Sequence, residues 1–246
     1  IMVEKRQLKL QNSPEFVTFL DSLSKINESA ILEVVEGEPC QMTSLISSSD
    51  NTLILYAEFL GQSANYTGRH NIPDIKKLTR VIESITEKDL KFIVNSNNIE
   101  YKDKSVKFKY HLYEDGFLSK PSINLEKIKQ FNCEVSFSLT KNQIQQIIKG
   151  STFATDTTKI YFYTEDGQLK AELTDRARHN TDVYTLSLGE VDFDLKPLPV
   201  NFDNIKFLNI INNAFTVSIN TQYGVMIIDI ETTSTKLKYI ITSLTQ

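Results

Sequence analysis

The order of apolar patterns in this chain occurs twice, and the repeat restricts the fold more than any motif does. A strand pattern over 3–10 comes first. A helical stripe over 14–25 follows, with Pro14 in its first turn and Phe16, Phe19, Leu20, Leu23 and Ile26 on one face. Strand patterns lie near 30–36, 41–47 and 53–60. A second stripe over 73–84 turns Ile75, Leu78, Ile82 and Ile85 inward, and strands near 90–96, 99–102 and 106–113 follow it. The second half runs in the same order. Strand 133–139 precedes helix 141–149, and strands come near 159–164, 168–174 and 183–188. Helix 202–212 buries Ile205, Leu208 and Ile211, and strands near 215–221, 224–231 and 237–244 finish the chain. Helix starts at 14 and 73 recur at 141 and 202, which is 127 and 129 residues later. The hairpin ILEVVEGEPCQMTSL sits in the first half about where KIYFYTEDGQLKAEL sits in the second. The simplest reading is an α+β fold of two tandem copies of strand, helix, three strands, helix, three strands. Each copy would set two helices on one face of a mostly antiparallel sheet. The stretch DGFLSKPSINLEKIKQFN opens with turn residues and reads as a connector. Domain 1 is expected over 1–115, the connector over 116–132 and domain 2 over 133–246.

Composition excludes several classes. The 246 residues suffice for one large domain or two ordinary ones, and 40% hydrophobic with 24% charged content is usual for soluble globular chains. Net charge is −4, so any contact with nucleic acid needs a local patch. No apolar run approaches a membrane span and no signal-peptide pattern is present, which points to the cytoplasm. Ile1 reads as an addition ahead of a natural start at Met2. Cys40 and Cys133 lack metal-ligand spacing and fit reduced thiols. The sequons at Asn27 and Asn65 read as chance matches.

The motifs of common chemistry are missing. The sequence has no phosphate-binding glycine loop, nucleophile elbow or zinc-protease helix. His70, His111 and His179 are its three histidines, and none has a cysteine or plausible ligand set nearby in sequence. A protein that is not an enzyme, with no cofactor, is expected. Asp192 and Asp194 in EVDFDLK share a strand face and could hold a metal, although a solvated face is preferred. TDRARH, 174–179, reads equally as a basic recognition loop or a hairpin tip. VKFKYHLY, 106–113, alternates basic and apolar residues. At a sheet edge its charges would protect the strand or set register against an acidic neighbour, and head-to-tail edge pairing can close a ring.

The helix faces carry the sharper signal. In SLTKNQIQQIIKGS, Ile144, Ile147 and Ile148 form the apolar stripe, Thr140 and Gln143 a capping box, and Gly150 a stop. The opposite face, Lys141, Asn142, Gln145, Gln146 and Lys149, has no carboxylate. The four helices carry seven basic residues (Lys25, Lys76, Lys77, Arg80, Lys141, Lys149, Lys206) and five acidic ones (Glu15, Asp21, Asp74, Glu83, Asp203). Their net charge is +2 against −6 for the rest of the chain. Asp74 and Asp203 lie in first turns, where the helix dipole favours them. Such faces suit phosphate contact without base reading. For one helix a solvated face is the plainer account. Four in repeat register on an acidic chain favour the phosphate reading.

The segments SLTKNQIQQIIKGSTFATDTTKIYFYTEDGQLKAEL and DVYTLSLGE resemble the second domain of DNA sliding clamps, most closely those of T-even-type bacteriophages. LPVNFDNIKFLNIINNAFTVSIN and the ending LKYIITSLTQ resemble clamps generally, including, more distantly, proliferating cell nuclear antigen. The resemblance covers the second half well and the first half weakly. It implies a viral replication protein in the host-cell cytoplasm, a homotrimeric ring around double-stranded DNA. Such a processivity factor tethers a DNA polymerase and is opened by an ATP-dependent clamp loader. It places Lys76, Lys77, Arg80, Lys141, Gln145, Lys149 and Lys206 toward the DNA. A pocket for partner peptides is expected by position at Phe117, Leu118, Pro121 and Ile123 with Ile240 and Thr242, although Phe117 and Ile123 could simply anchor the connector. Strand 106–113 is expected to pair with 183–188 of a neighbouring subunit. Glu15 and Asp21 against Lys25 leave the first helix weakly charged. A structural or assembly protein of duplicated β-rich domains is the alternative; it explains the repeat but not the helix faces.

Overall fold

Residues 5–60, 62–210 and 214–244 are described by a computed structural model. Two compact units divide the chain, one of residues 1–123 with 231–238 and one of 124–230 with 239–246.

In the first unit β1 (Gln7–Leu10) buries Leu8 and Leu10 and exposes Lys9. Asn12 is extended and Pro14 presets the first turn of α1 (Ser13–Ser24). The buried stripe of α1 brings Phe16 and Phe19 against Phe59, with ring centroids 5.5 and 5.3 Å apart. β2 (Ala30–Val35), β3 (Gln41–Ser47) and β4 (Leu53–Phe59) form a meander. β5 (Gln62–Ala64) and β6 (Gly68–Ile72) lead into α2 (Ile75–Glu83). β7 (Leu90–Val94), β8 (Asn98–Lys102) and β9 (Lys107–His111) follow. The strand orders are β4-β3-β2-β6 and β5-β1-β7-β8-β9. Ile75, Leu78 and Ile82 of α2 are buried, and α2 packs against α1.

The second unit begins with α3 (Leu125–Lys129), then β10 (Val135–Leu139) and α4 (Lys141–Gly150). β11 (Lys159–Glu165), β12 (Gln168–Leu173), β13 (Tyr184–Glu190) and β14 (Leu198–Asn201) follow. α5 (Asp203–Lys206) runs on as a 3-10 turn, Phe207–Ile210, before β15 (Phe215–Asn220), β16 (Val225–Glu231) and β17 (Thr235–Thr242). The orders are β13-β12-β11-β14 and β10-β15-β16-β17. These match β4-β3-β2-β6 and β1-β7-β8-β9 strand for strand, so the duplication is one of topology. The closing contacts repeat too. Leu112 N donates to Asn97 O at 2.9 Å and Tyr113 N to Asn71 O at 3.0 Å. Correspondingly, Ser243 N donates to Gly224 O at 2.7 Å and Leu244 N to Pro199 O at 2.8 Å.

Two expectations need correction. Each copy has four matched strands between its helices, not three, because β6 and β14 were not anticipated; β5 is extra in the first copy. β6 reads as loop because it is polar, yet His70 and Asn71 are buried with partners: Tyr66 Oη lies 2.8 Å from His70 Nε2, and Asn71 Nδ2 donates to Asp115 Oδ1 at 2.9 Å. β14 contains Pro199, which an edge strand tolerates. Within the expected connector Asn124 caps α3 and Ile128 is buried. Helix 202–212 is the second correction. Phe202 offers no capping oxygen, and only Asn201 Oδ1, accepting from Asp203 N at 3.0 Å, supports its start. The helix tightens after one α turn, which satisfies terminal carbonyls locally. Ile211 lies outside the described residues.

Candidate nucleic-acid interface and partner grooves

α2 carries three exposed cations. Asp74 Oδ1 accepts from Lys77 N at 2.8 Å and caps the helix. Tyr110 Oη, on edge strand β9, donates to Asp74 O at 2.6 Å and accepts from Asp74 N at 3.1 Å. Burial pushes the Tyr110 phenol up to about 12, so it stays a neutral donor. With Ile75, Leu78, Thr79 and Ile82 facing the core, Lys76, Lys77 and Arg80 are left exposed. Among the described residues none of the three has an acidic partner within 4.0 Å.

α4 is built alike on different chemistry. Thr140 Oγ1 accepts from Gln143 N at 3.2 Å, and Gln143 Oε1 accepts from Thr140 N at 2.9 Å, which completes the capping box. Gln143 Nε2 then donates to Leu188 O at 3.0 Å, beside a register shift in edge strand β13. Gly150 lies under Tyr184, where a Cβ would fall 2.2 Å from the ring. Asn142, Gln145, Gln146 and Lys149 are exposed; Lys141 is half-buried. Lys206 is exposed but engaged, with Nζ 2.7 Å from Asp203 Oδ1 and 5.0 Å from the Phe202 ring centroid. The seven expected DNA-facing residues thus lie on α2, α4 and α5, and Lys206 is neutralised locally.

The expected partner residues fall in both units. Phe117 is 72% exposed and stacks on Tyr113 at 5.0 Å. Leu118 and Pro121 line a small cavity of about 70 Å³ with Ala30, Ile31, Leu45 and Ile46. Arg69 Nη2 holds the connector by donating to Leu118 O at 2.9 Å, and Lys120 pairs with Glu33 at 2.7 Å. Beside these ties burial pushes the His70 imidazole down to about 4. Ile123 is half-buried, Thr242 is exposed, and Ile240 is buried in the core. A larger groove, about 720 Å³, lies wholly in the second unit, between Leu195–Pro199, the Thr221–Gly224 turn, Ser243 and Leu244. Tyr223 on its rim stacks on Phe131 at 5.3 Å. Sequence reading missed this groove; the apolar, proline-spaced LKPLP was the available signal.

The two remaining sequence candidates take structural roles. In TDRARH, Arg176 Nε donates to Glu172 Oε1 at 2.8 Å, and its guanidinium lies 4.9 and 4.7 Å from the Tyr161 and Tyr163 rings. Arg178 Nη1 donates to Asp156 O at 3.2 Å. These bonds make the segment a pinned hairpin tip. Asp192 and Asp194 are exposed and alternate with half-buried Val191 and Phe193. Among the described residues no three His, Cys, Asp or Glu side chains cluster so as to hold a metal ion, and no helix is long and apolar enough to cross a membrane.

Solved structures share this fold along the whole chain. Archaeal PCNA from A. fulgidus, bound to the C-terminal region of FEN-1, superposes with a TM-score of 0.75 at 12% identity, covering 98% of this chain and 99% of that one. PCNA from Entamoeba histolytica gives 0.73 at 11% identity, covering 99% and 100%. The Helicobacter pylori beta clamp bound to a DNA ligase peptide gives 0.73 at 14% identity, covering all of this chain and 67% of that one. No family model matches the sequence, and no curated protein matches it. At these identities the likeness is one of fold: mostly antiparallel sheets with few helices, in the clamp arrangement.

Proposed function

We propose that this protein is a DNA sliding clamp, a ring-forming processivity factor that encircles duplex DNA and is not an enzyme. The observation that carries this reading is the match along the whole chain to two kinds of clamp, PCNA and beta clamp. The acid-free exposed face of α4 and the cations of α2, which have no acidic partner within 4.0 Å among the described residues, support it chemically. Contacts through flexible Lys, Arg and Gln side chains attract phosphate without reading bases, which sliding requires. The ring is a homotrimer closed head to tail. β9 and β13 are both free sheet edges, and an antiparallel pairing between them on neighbouring copies would remove both. The segments SLTKNQIQQIIKGSTFATDTTKIYFYTEDGQLKAEL and DVYTLSLGE favour a clamp of the T-even bacteriophage type, opened by an ATP-dependent loader and tethering a DNA polymerase.

Partner peptides dock at the connector, around Phe117, Leu118, Pro121 and Ile123, and the expected set also includes Ile240 and Thr242 of the second unit. The FEN-1 and ligase peptides bound to the PCNA and beta clamp relatives support peptide docking as the mode. Retention on circular against linear DNA tests the function. A clamp loaded on a closed circle stays, and on a linear molecule it runs off the ends. Equal dissociation from both, once loading is confirmed, would refute encirclement and return the protein to the assembly class.

A further inference from the structure

The five-stranded sheet of the first unit has a face that neither the helices nor the proposed function uses. Leu8, Leu10, Leu90, Phe92, Val94, Ile99, Tyr101 and Tyr110 turn to its buried side. The other side is read from the strand register, since directly opposed residues share a face. Lys9 opposes Lys91 across β1 and β7, and Lys102 opposes Lys107 across β8 and β9. Ile93 opposes Glu100 across β7 and β8; the same register, carried on by two residues, sets Lys91 against Lys102. One rung therefore crosses four strands as Lys9, Lys91, Lys102 and Lys107, all exposed. Among the described residues no acid lies within 4.0 Å of any of them; the one ion pair on this face joins Lys109 to Glu100 in the next rung at 3.5 Å. Like charges directly opposed on a sheet destabilise it. Here two such pairs are placed end to end on a chain of net charge −4.

We propose that this lysine rung is a docking surface for a short Asp/Glu-rich segment of a partner protein. Three inter-strand steps span roughly 14 Å, which four or five extended residues cover. Among the described residues the face carries no exposed Phe, Tyr or Trp, and its exposed His111 lies two rungs from the lysines, so single-stranded nucleic acid would find no stacking platform along the rung. A long polyanion would also extend over the acidic remainder of the surface. A short segment stays within about a Debye length, some 8–10 Å, of the rung and feels mainly the lysines. The surface lies outside the DNA-facing helices and the peptide pocket, and it needs neither the ring nor DNA.

The test is fluorescence anisotropy of labelled hexaglutamate with the full chain, at low salt and at about 0.15 M salt. Binding at low salt that weakens with salt is expected. It should fall about tenfold or more in the double variant Lys91→Glu/Lys102→Glu. The pairs 9/91 and 102/107 become opposite charges while 91 against 102 stays like-charged as in the parent, so the variant should melt no lower than the parent and its lost binding cannot be ascribed to unfolding. Lys76→Glu/Lys77→Glu on α2 should leave hexaglutamate binding unchanged. No binding at low salt, equal binding by the rung variant, or loss in the α2 variant instead would each overturn the proposal. Hexathymidylate bound more tightly than hexaglutamate, with the same sensitivity to the rung variant, would also overturn it and give the face to nucleic acid.

Discussion

Replacing Arg176 with alanine tests the reading of TDRARH as a structural tip. The guanidinium satisfies Glu172 Oε1 at 2.8 Å, while Tyr163 Oη satisfies Oε2 at 2.9 Å. Glu172 is only 9% exposed, so the variant strands a carboxylate oxygen away from water. An unsatisfied buried acceptor costs about 1–3 kcal/mol. Loss of a cation over two rings adds about 0.5–1 kcal/mol each at a partly exposed site. The Arg176 side chain is 38% exposed, so the lower half of both ranges applies, and the sum is about 2–3 kcal/mol. For units of this size that corresponds to a melting point lower by about 5–10 °C. Arg176→Lys keeps a charge but loses the fork and the stack, and should recover about half. Urea unfolding of Arg176→Ala, Glu172→Gln and the double variant should show coupling of about 1–2 kcal/mol. DNA retention at low temperature should be unchanged. A loss under about 0.5 kcal/mol, or additive single variants, would refute the structural reading.

His70 supplies a pH prediction. Burial sets its folded pKa at about 4 against an ordinary 6.5, so the unfolded chain binds its proton first. Stability is then full above pH 6.5 and declines toward pH 4 at up to about 1.4 kcal/mol per unit, roughly 3 kcal/mol in all. Urea midpoints across that range should show the decline in the parent and a flatter profile in His70→Gln. Gly150→Ala drives a Cβ into the Tyr184 ring and should displace β13; sedimentation should show weakened self-association. Asp203→Asn releases Lys206 and should steepen the log–log salt dependence of DNA retention by about 0.9 for each further phosphate that lysine neutralises.

What the sequence revealed followed how local each signal is. α1, α2, α4 and the β2–β3 hairpin carry their own periodicity, and they appear within a residue or two of where the apolar spacing sets them. β6 was hidden because hydropathy cannot distinguish buried, hydrogen-bonded His70 and Asn71 from solvated loop residues. β14 was masked by Pro199, and α5 by an apolar stripe that outlasts its α-helical turn. At the candidate site the composition of the helix faces was legible. Pairings were not: that Asp203 neutralises Lys206, and that Glu172 with two tyrosines absorbs Arg176, depends on side-chain geometry. The lysine rung was invisible for the same reason. Its residues come from four separated strands and become a row only through register.

α2 and α4 are each bolted at the first turn to the free edge strand of their own unit. Tyr110 of β9 holds both backbone groups of Asp74, and Gln143 spends one amide on its helix cap and on Leu188 of β13. Edge and helix are therefore thermodynamically linked. A strand that binds β9 or β13 and stiffens it also stabilises the neighbouring helix start, and by reciprocity whatever immobilises the helix raises the affinity of the edge for its strand. Peeling an edge away sacrifices a cap as well as a ladder. In a ring closed through these edges, a charged molecule held by the helices would tighten the joints, and a joint forced open would slacken the grip on it.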